Sequence, residues 1–260
     1  MEQDLVSVIM PTFNEARYLS ESIERVLGQS YPNLELLITD DCSSNVEVRS
    51  MLLRYAEKDS RVRIFFLEKN MGPGYARNNS IAEAKGRFIA FCDSDDYWAK
   101  DKLEKQVAFM KERNACLSYT SYYLCNSEGV VHGMVRAPKR MTFSRLRRDN
   151  KIGCLTAMYD ASICGKMFMP TLRKRQDWGL FLLILKNFGV AYGMKEPLAY
   201  YRKRKGSISM KKGELIKYNK QVYQKVLGYS KIKATLYFWM VFMPTYFSKK
   251  AYMWWTNLFN

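Results

Sequence analysis

The chain has 260 residues, 48% of them hydrophobic and 14% aromatic, which is enough to bury one substantial core and excludes a disordered chain. Its formal net charge of +17 is uneven: residues 201–260 hold thirteen Lys or Arg against one acid, Glu214, so the basic tail calls for its own partner and the body need not bind a polyanion. A single histidine, His132, and six cysteines without CxxC pairing leave Asp and Glu to carry any acid–base or metal chemistry, and they exclude a zinc site of the usual spacings.

The start, Met1-Glu2-Gln3-Asp4, is acidic where a signal peptide would be basic, which argues against export. Scattered cysteines then suit free thiols in a reducing cytosol. Leu5 to Met10 reads as a strand that stops at Pro11, and Leu19, Ile23, Val26 and Leu27 repeat at helical spacing between Glu15 and Ser30. Leu34 to Thr39 is a buried-type strand ending in Asp40-Asp41, followed by a helix through Met51-Leu52-Leu53 and a strand from Val62 to Leu67. A glycine-bearing loop leads to a helix from Tyr75 to Ala84, and the strand Phe88 to Cys92 runs directly into Asp93-Ser94-Asp95-Asp96. This alternation predicts an α/β domain with an open, mostly parallel sheet flanked by helices. In such sheets ligands bind beyond the C-terminal strand ends, where all three acidic or polar clusters fall.

After Trp98 the pattern loosens. It predicts a charged helix over Lys100 to Arg113, a strand over Leu117 to Leu124, an irregular stretch holding His132, a strand over Ile152 to Tyr159 and a helix over Trp178 to Phe188 entered through Gln176-Asp177. His132 reads as a solvated loop residue, with a general base as the alternative. From Gly213 the chain looks helical, and Ala234 to Phe247 is almost wholly apolar between lysines. That run contains Pro244 and falls short of the ~20 apolar residues a spanning helix needs. Lysines and Trp239, Trp254 and Trp255 suit a helix lying on an anionic membrane; packing on the body or in a homodimer is the alternative.

Side chains alternate along a strand, so Asp93 and Asp95 share one direction, and their mutual repulsion calls for a cation such as Mg²⁺ or Mn²⁺; a solvated turn is the competing reading. Gly72-Pro73-Gly74-Tyr75-Ala76-Arg77 follows the third strand and lacks a final glycine, so it is no dinucleotide fingerprint. Arg77, on the first turn of its helix, suits a phosphate or ribose, or is only a surface helix start. Asp177 reads equally as the cap of its own helix or as a general base kept ionised by Arg173, Lys174 and Arg175.

Together these segments resemble the family 2 glycosyltransferases of the GT-A fold, over residues 5 to about 210. The matching stretches are Pro11 to Glu15, Ile38 to Ser44, Gly72 to Asn78, Phe91 to Trp98, Ile152 to Thr156, Arg173 to Trp178, and Tyr200 to Arg202 with Gly206 to Ser209. The later stretches resemble bacterial enzymes that build teichuronic acid, capsule or lipopolysaccharide sugars. The resemblance implies an inverting, nucleotide-sugar-dependent transferase. Pro11, Thr12, Phe13, Asn14, Glu15, Asp40, Asp41, Arg77, Asp93 and Ser94 would hold the nucleotide of a UDP-sugar. Asp95 would hold the metal and Asp177 would be the base, with Arg175, Trp178, Arg202 and Lys205 at the diphosphate or acceptor. Trp178 reads first as a buried core residue, with stacking on the acceptor ring as the alternative.

The resemblance also implies a glycan or lipid-linked acceptor and a cytoplasmic enzyme, peripheral on the inner membrane face. Residues 1–97 would form the nucleotide-sugar half, 98–212 the acceptor half of the same domain and 213–260 a basic, aromatic helical tail. Two positions depart from the family: Cys42 stands where a glycine is common, and Lys203-Arg204-Lys205 replaces a histidine segment. A sugar nucleotidyltransferase would need a glycine- and arginine-rich first loop. A nucleic-acid-binding module would explain the tail but not the acidic strand ends, so no nucleic acid is expected.

Overall fold

The computed structural model describes residues 4–204 and 212–248. The first half follows the alternation: β1 (Val6–Thr12), α1 (Leu19–Leu27), β2 (Leu34–Asp40), α2 (Val46–Lys58), β3 (Val62–Phe66), α3 (Pro73–Glu83) and β4 (Phe88–Phe91). Then come β5 (Tyr97–Trp98), α4 (Lys102–Arg113), β6 (Leu117–Cys125), β7 (Val131–Val135), β8 (Arg140–Met141), α5 (Phe143–Leu146), β9 (Met158–Asp160), α6 (Ala161–Cys164), α7 (Gln176–Phe188) and β10 (Ala191–Arg202). Helices α8 (Lys212–Gln221) and α9 (Lys231–Tyr237) follow, each continuing into a π-helical turn, Val222–Val226 and Phe238–Phe242. Residues 243–248 extend the last helix.

The ten strands of the described residues form one mixed sheet in the order β3-β2-β1-β4-β9-β6-β10-β5, with β7 on β6 and β8 on β10. Strands β3, β2, β1 and β4 run parallel, as do β6 and β10, while β9 and β5 pair antiparallel. Alternate residues of the central strands feed two cores. Val6, Val8 and Met10 pack with α1, α2 and α4, whereas Ile9, Ile89 and Phe91 pack with α3, α7 and the C-terminal helices.

The chain lays down β1, β2 and β3 in one direction across the sheet and then returns to place β4 on the other side of β1. The loops leaving β1 and β4 therefore diverge, opening the crevice in which ligands of such sheets sit. Pro11 does not end β1, as the sequence suggests, but lies inside it, opposite Thr39. The Ile9 carbonyl faces β4, where it accepts from the Cys92 N–H, and the Thr12 carbonyl faces β2, where it accepts from Asp41. Pro11, in step with Ile9, thus points its donor-less nitrogen to the side where pairing with β4 has ended at Phe91.

One other expectation changes. Ile152 to Tyr159 is a 3₁₀ turn, Cys154–Thr156, before the short β9, because side chains occupy its carbonyls. The Trp98 indole donates to Leu155 O at 2.9 Å and Gln106 Nε2 donates to Thr156 O at 3.0 Å. β10 is a long strand although it contains Pro197, which a register shift between Met194 and Ala199 absorbs. All six cysteines are free thiols.

Candidate active site

Two acidic strand ends flank the crevice. At the end of β2, the Asp40 carboxylate accepts from the Ser43 hydroxyl and, at 3.0 Å, from the Ser43 N–H. Asp41 accepts from the backbone N–H groups of Met71 and Gly72, both at 2.7 Å. Burial pushes the Asp41 carboxyl above its ordinary range, against the pull of those two N–H donors. Cys42 has φ 64°, the left-handed conformation that a glycine takes most readily, so the chain makes the same sharp turn with a side chain in place. Asn14, also left-handed at φ 52°, accepts from the N–H groups of Ser44 and Asn45 at 2.9 and 3.1 Å, tying the β1 loop to the β2 loop. Phe13 is exposed beside it, Pro11 is buried, and the buried Thr12 hydroxyl has no protein partner.

The Gly72–Gly74 loop joins these ends to the opposite wall. Gly72 sits at φ 90°, which lets its N–H reach Asp41. A Cβ on Gly74 would meet Gln176 Cγ at 2.8 Å, so the glycine lets α3 approach the start of α7. Arg77 and Asp177 are brought together by that approach. Arg77 lies in the second turn of α3, not the first, and donates to Asp93 Oδ1 at 2.5 Å. Its Nε is buried and has no protein partner. Burial opposes the Arg77 charge, but Asp93 and, further off, Asp177 outweigh it and hold the guanidinium protonated.

At the end of β4, Ser22 of α1 donates to the carbonyls of Ser94 and Asp96 at 3.0 and 2.7 Å, and the buried Ser94 and Asp96 are locked in place. Asp96 Oδ1 accepts from the Arg202 N–H at 2.8 Å; burial, then the charges of Asp95 and Asp93, push its carboxyl well above the usual range. Asp95 remains partly accessible and pairs with Arg204 Nε at 2.7 Å. Arg204 Nη2 also reaches Glu15 Oε2 at 2.8 Å, bridging the loops after β1 and β4. Burial and Asp93 raise the Asp95 carboxyl, with Arg204 opposing them.

Several expected contacts fall elsewhere. Arg202 does not face the crevice as a phosphate ligand: it is 4% exposed, donates to Asp95 O at 3.1 Å, Ser127 O at 3.2 Å and Glu21 Oε2 at 2.7 Å, and stacks on Tyr18. Trp178 is fully buried, donates to Leu146 O at 2.9 Å and packs on Tyr223, so it is a core residue and cannot stack on an acceptor. Asp177 does not cap α7, because Arg175 at φ 68° holds the cap position; its Oδ2 accepts instead from Asn150 Nδ2 at 3.2 Å. The Arg175 Nε is buried and has no protein partner. His132 is exposed on β7, away from any acid pairing. Lys205, Gly206 to Ser209, Trp254 and Trp255 lie outside the described residues.

Ser22, Asn150 and Arg204 are the site residues the sequence did not single out. Arg204 had a signal: it follows Arg202 by two residues along an extended run, which points both toward the acids and turns the exposed Lys203 away.

The family pattern of Glycosyl transferase family 2 matches residues 7–169, which spans β1 to the loop before α7. The chain is a family 2 glycosyltransferase. It is 41% identical to the candidate teichuronic acid biosynthesis glycosyltransferase TuaG of Bacillus subtilis, over 89% of this chain and 92% of that one. It is 38% identical to the UDP-Glc:α-D-GlcNAc-diphosphoundecaprenol β-1,3-glucosyltransferase WfgD of Escherichia coli, over 84% of each chain. Among solved structures, residues 1–349 of Staphylococcus aureus TarS in complex with UDP superpose with a TM-score of 0.66 at 22% identity, covering 88% of this chain and 68% of that one. The mannosyltransferase PcManGT of Pyrobaculum calidifontis, in complex with GDP-Man and Mn²⁺, gives 0.63 at 18% identity, covering 89% and 69%. These likenesses place the glycosyltransferase in the GT-A fold, an α/β domain with a mostly parallel central sheet and added C-terminal helices.

Proposed function

We propose that this family 2 glycosyltransferase transfers a sugar, with inversion, from a UDP-sugar to a glycan or lipid-linked glycan during synthesis of a bacterial surface polysaccharide. The observation that carries the reading is the convergence, at one crevice mouth, of two partly exposed carboxylates, two arginines and a separate carboxylate on the facing helix. The UDP-sugar donor and diphosphoundecaprenol-linked acceptor in the name of WfgD, and UDP bound to TarS, support the choice of substrates.

A divalent cation fits this site. Asp93 and Asp95 are hard oxygen donors, both partly exposed, and burial, then the Asp93 charge, raises the Asp95 carboxyl despite Arg204. No group of three or more His, Cys, Asp or Glu able to hold a metal forms among the described residues, so the cation would be shared with the donor's phosphates. Bound there, it would stabilise charge on the departing diphosphate. Arg77, with its unpartnered Nε, and Arg204 add donors on the same side. Asp177, oriented by Asn150, takes the proton of the attacking acceptor hydroxyl on the face opposite the diphosphate; an α-linked donor then gives a β-linked product. A lipid-linked acceptor requires the enzyme to work at a bilayer surface, on the inner face of the cytoplasmic membrane.

The test is UDP release from a panel of UDP-sugars, with and without Mn²⁺ or Mg²⁺, using membrane lipid extract as acceptor. One donor should turn over only with metal, and Asp177→Asn should lower kcat by ~10²–10⁴-fold while leaving UDP binding intact. Full turnover by Asp177→Asn removes Asp177 as the base. Failure to bind UDP or any UDP-sugar removes the donor assignment.

A further inference from the structure

The last helix has two apolar faces. Ala234, Phe238 and Phe242 are buried in the core, with the Phe242 ring 6.0 Å from Trp178. On the other side Ile232, Leu236, Trp239, Met240 and Phe247 are each more than half exposed, the least of them 53%. Spacings of four, three or four, and seven or eight put them in one stripe along a helix that runs from Lys231 to residue 248. No helix of the sheet domain carries more than two exposed large apolar residues, the pair being Val46 and Leu53 on α2.

What surrounds the stripe narrows the occupant. Residues 215–248 contain five lysines and no acid, and Lys217, Lys225, Lys231 and Lys233 are exposed. A protein face with so much one-signed charge around an apolar row complements a surface that is itself anionic outside and apolar beneath. No helix of the described residues is long and apolar enough to cross a membrane. Pro244 lies within the helix without ending it: it brings no N–H to the Met240 carbonyl, and the preceding turn widens into π-helix over Phe238–Phe242. Such a helix lies along an interface.

We propose that the face carrying Ile232, Leu236, Trp239, Met240 and Phe247 embeds in the headgroup layer of an anionic bilayer, with the surrounding lysines on lipid phosphates. Docking this way sets the catalytic helix at a fixed depth. Trp178, the residue after Asp177, packs on Tyr223 and Phe242, so one aromatic layer separates the base from the membrane-bound helix. That second point rests on the role given to Asp177 above; the lipid binding does not.

The experiment is co-sedimentation of the full chain with phosphatidylcholine vesicles, with and without phosphatidylglycerol, at low and high salt. Binding should require phosphatidylglycerol and weaken at high salt. Changing Trp239 and Met240 together to serine should weaken it by about tenfold or more, and Lys231→Glu with Lys233→Glu should weaken binding at low salt and reduce its salt dependence. Asp177→Asn should bind as the wild type does, so a failed transferase assay and a failed docking assay are separate results. No vesicle binding, or equal binding to neutral vesicles, overturns the proposal. So does a dimer, seen by sedimentation velocity, that the Trp239–Met240 double variant splits without changing vesicle binding.

Discussion

The ends of β2 and β4 present the same chemistry to the same crevice, adjacent aspartates at the mouth of a parallel strand, yet they are neutralised in opposite ways. Asp40 and Asp41 are held by donors on nearby loops, mostly backbone N–H groups of Ser43, Met71 and Gly72, which cannot leave without unfolding the loop. Asp93 and Asp95 are held by the guanidinium groups of Arg77 and Arg204, at the ends of long side chains that can exchange a carboxylate for a phosphate. Asp96 stands between the two cases, with a backbone donor from Arg202. The kind of partner, more than the acid itself, divides carboxylates that build the site from carboxylates that can serve a ligand.

Lys102 is a fully buried amine with neither kind of partner. It donates to Gln106 Oε1 at 2.8 Å and sits 3.9 Å from the centroid of the Trp98 ring. Burial pulls its pKa from 10.5 to about 7. Between those values the unfolded chain binds more protons than the folded one, so this residue makes stability rise with pH across the window. Urea midpoints from about pH 7 to about pH 9.5 should show a wild-type gain of roughly 3 kcal/mol relative to Lys102→Met. Parallel pH profiles for the two proteins would mean that Lys102 stays charged in the fold.

A smaller effect should come from Asp41→Ala. Leaving the Met71 and Gly72 N–H groups without their acceptor should cost about 2 kcal/mol of stability in urea unfolding, and donor binding should weaken through the displaced loop. The smallest is expected at Arg204. Arg204→Gln should change stability by no more than about 1 kcal/mol, because Arg204 is itself part-exposed in both pairs it breaks, with Asp95 and Glu15, yet weaken UDP-sugar binding about tenfold in calorimetry. If Arg204→Gln unfolds the protein as readily as Asp41→Ala, the contrast between fixed and exchangeable partners is lost.

The half of the molecule that ends at β4 was legible because each of β1 to β4 is a short run joined to the next by a single local helix. Its acidic ends could be read from the strand pattern alone. The second half was not, since β5, β8 and the long β10 gain their partners from distant segments, and Pro197 in β10 hides a strand that a bulge preserves. Cys154 to Thr156 looked like strand interior because nothing in the local sequence says that Trp98 and Gln106 will take its carbonyls. Within the site, charge and spacing pointed to Asp95 and Arg77. Asn150 could not be found that way: its partner Asp177 lies 27 residues on, across a turn and β9. Arg202 looks like a ligand from its charge beside an acidic crevice, until its donors are found on Asp95 O, Ser127 O and Glu21.

Pro11 gives the crevice a mechanical character. A strand pair closes like a zip, one hydrogen bond drawing in the next, and here the slide stops at Ile9 and Cys92. Because Pro11 has no hydrogen to offer on that side, the acidic loop beyond β4 has nothing on β1 to fasten to. The omission of a single N–H leaves the two strands unfastened beyond Ile9, on the side where the acidic loop begins.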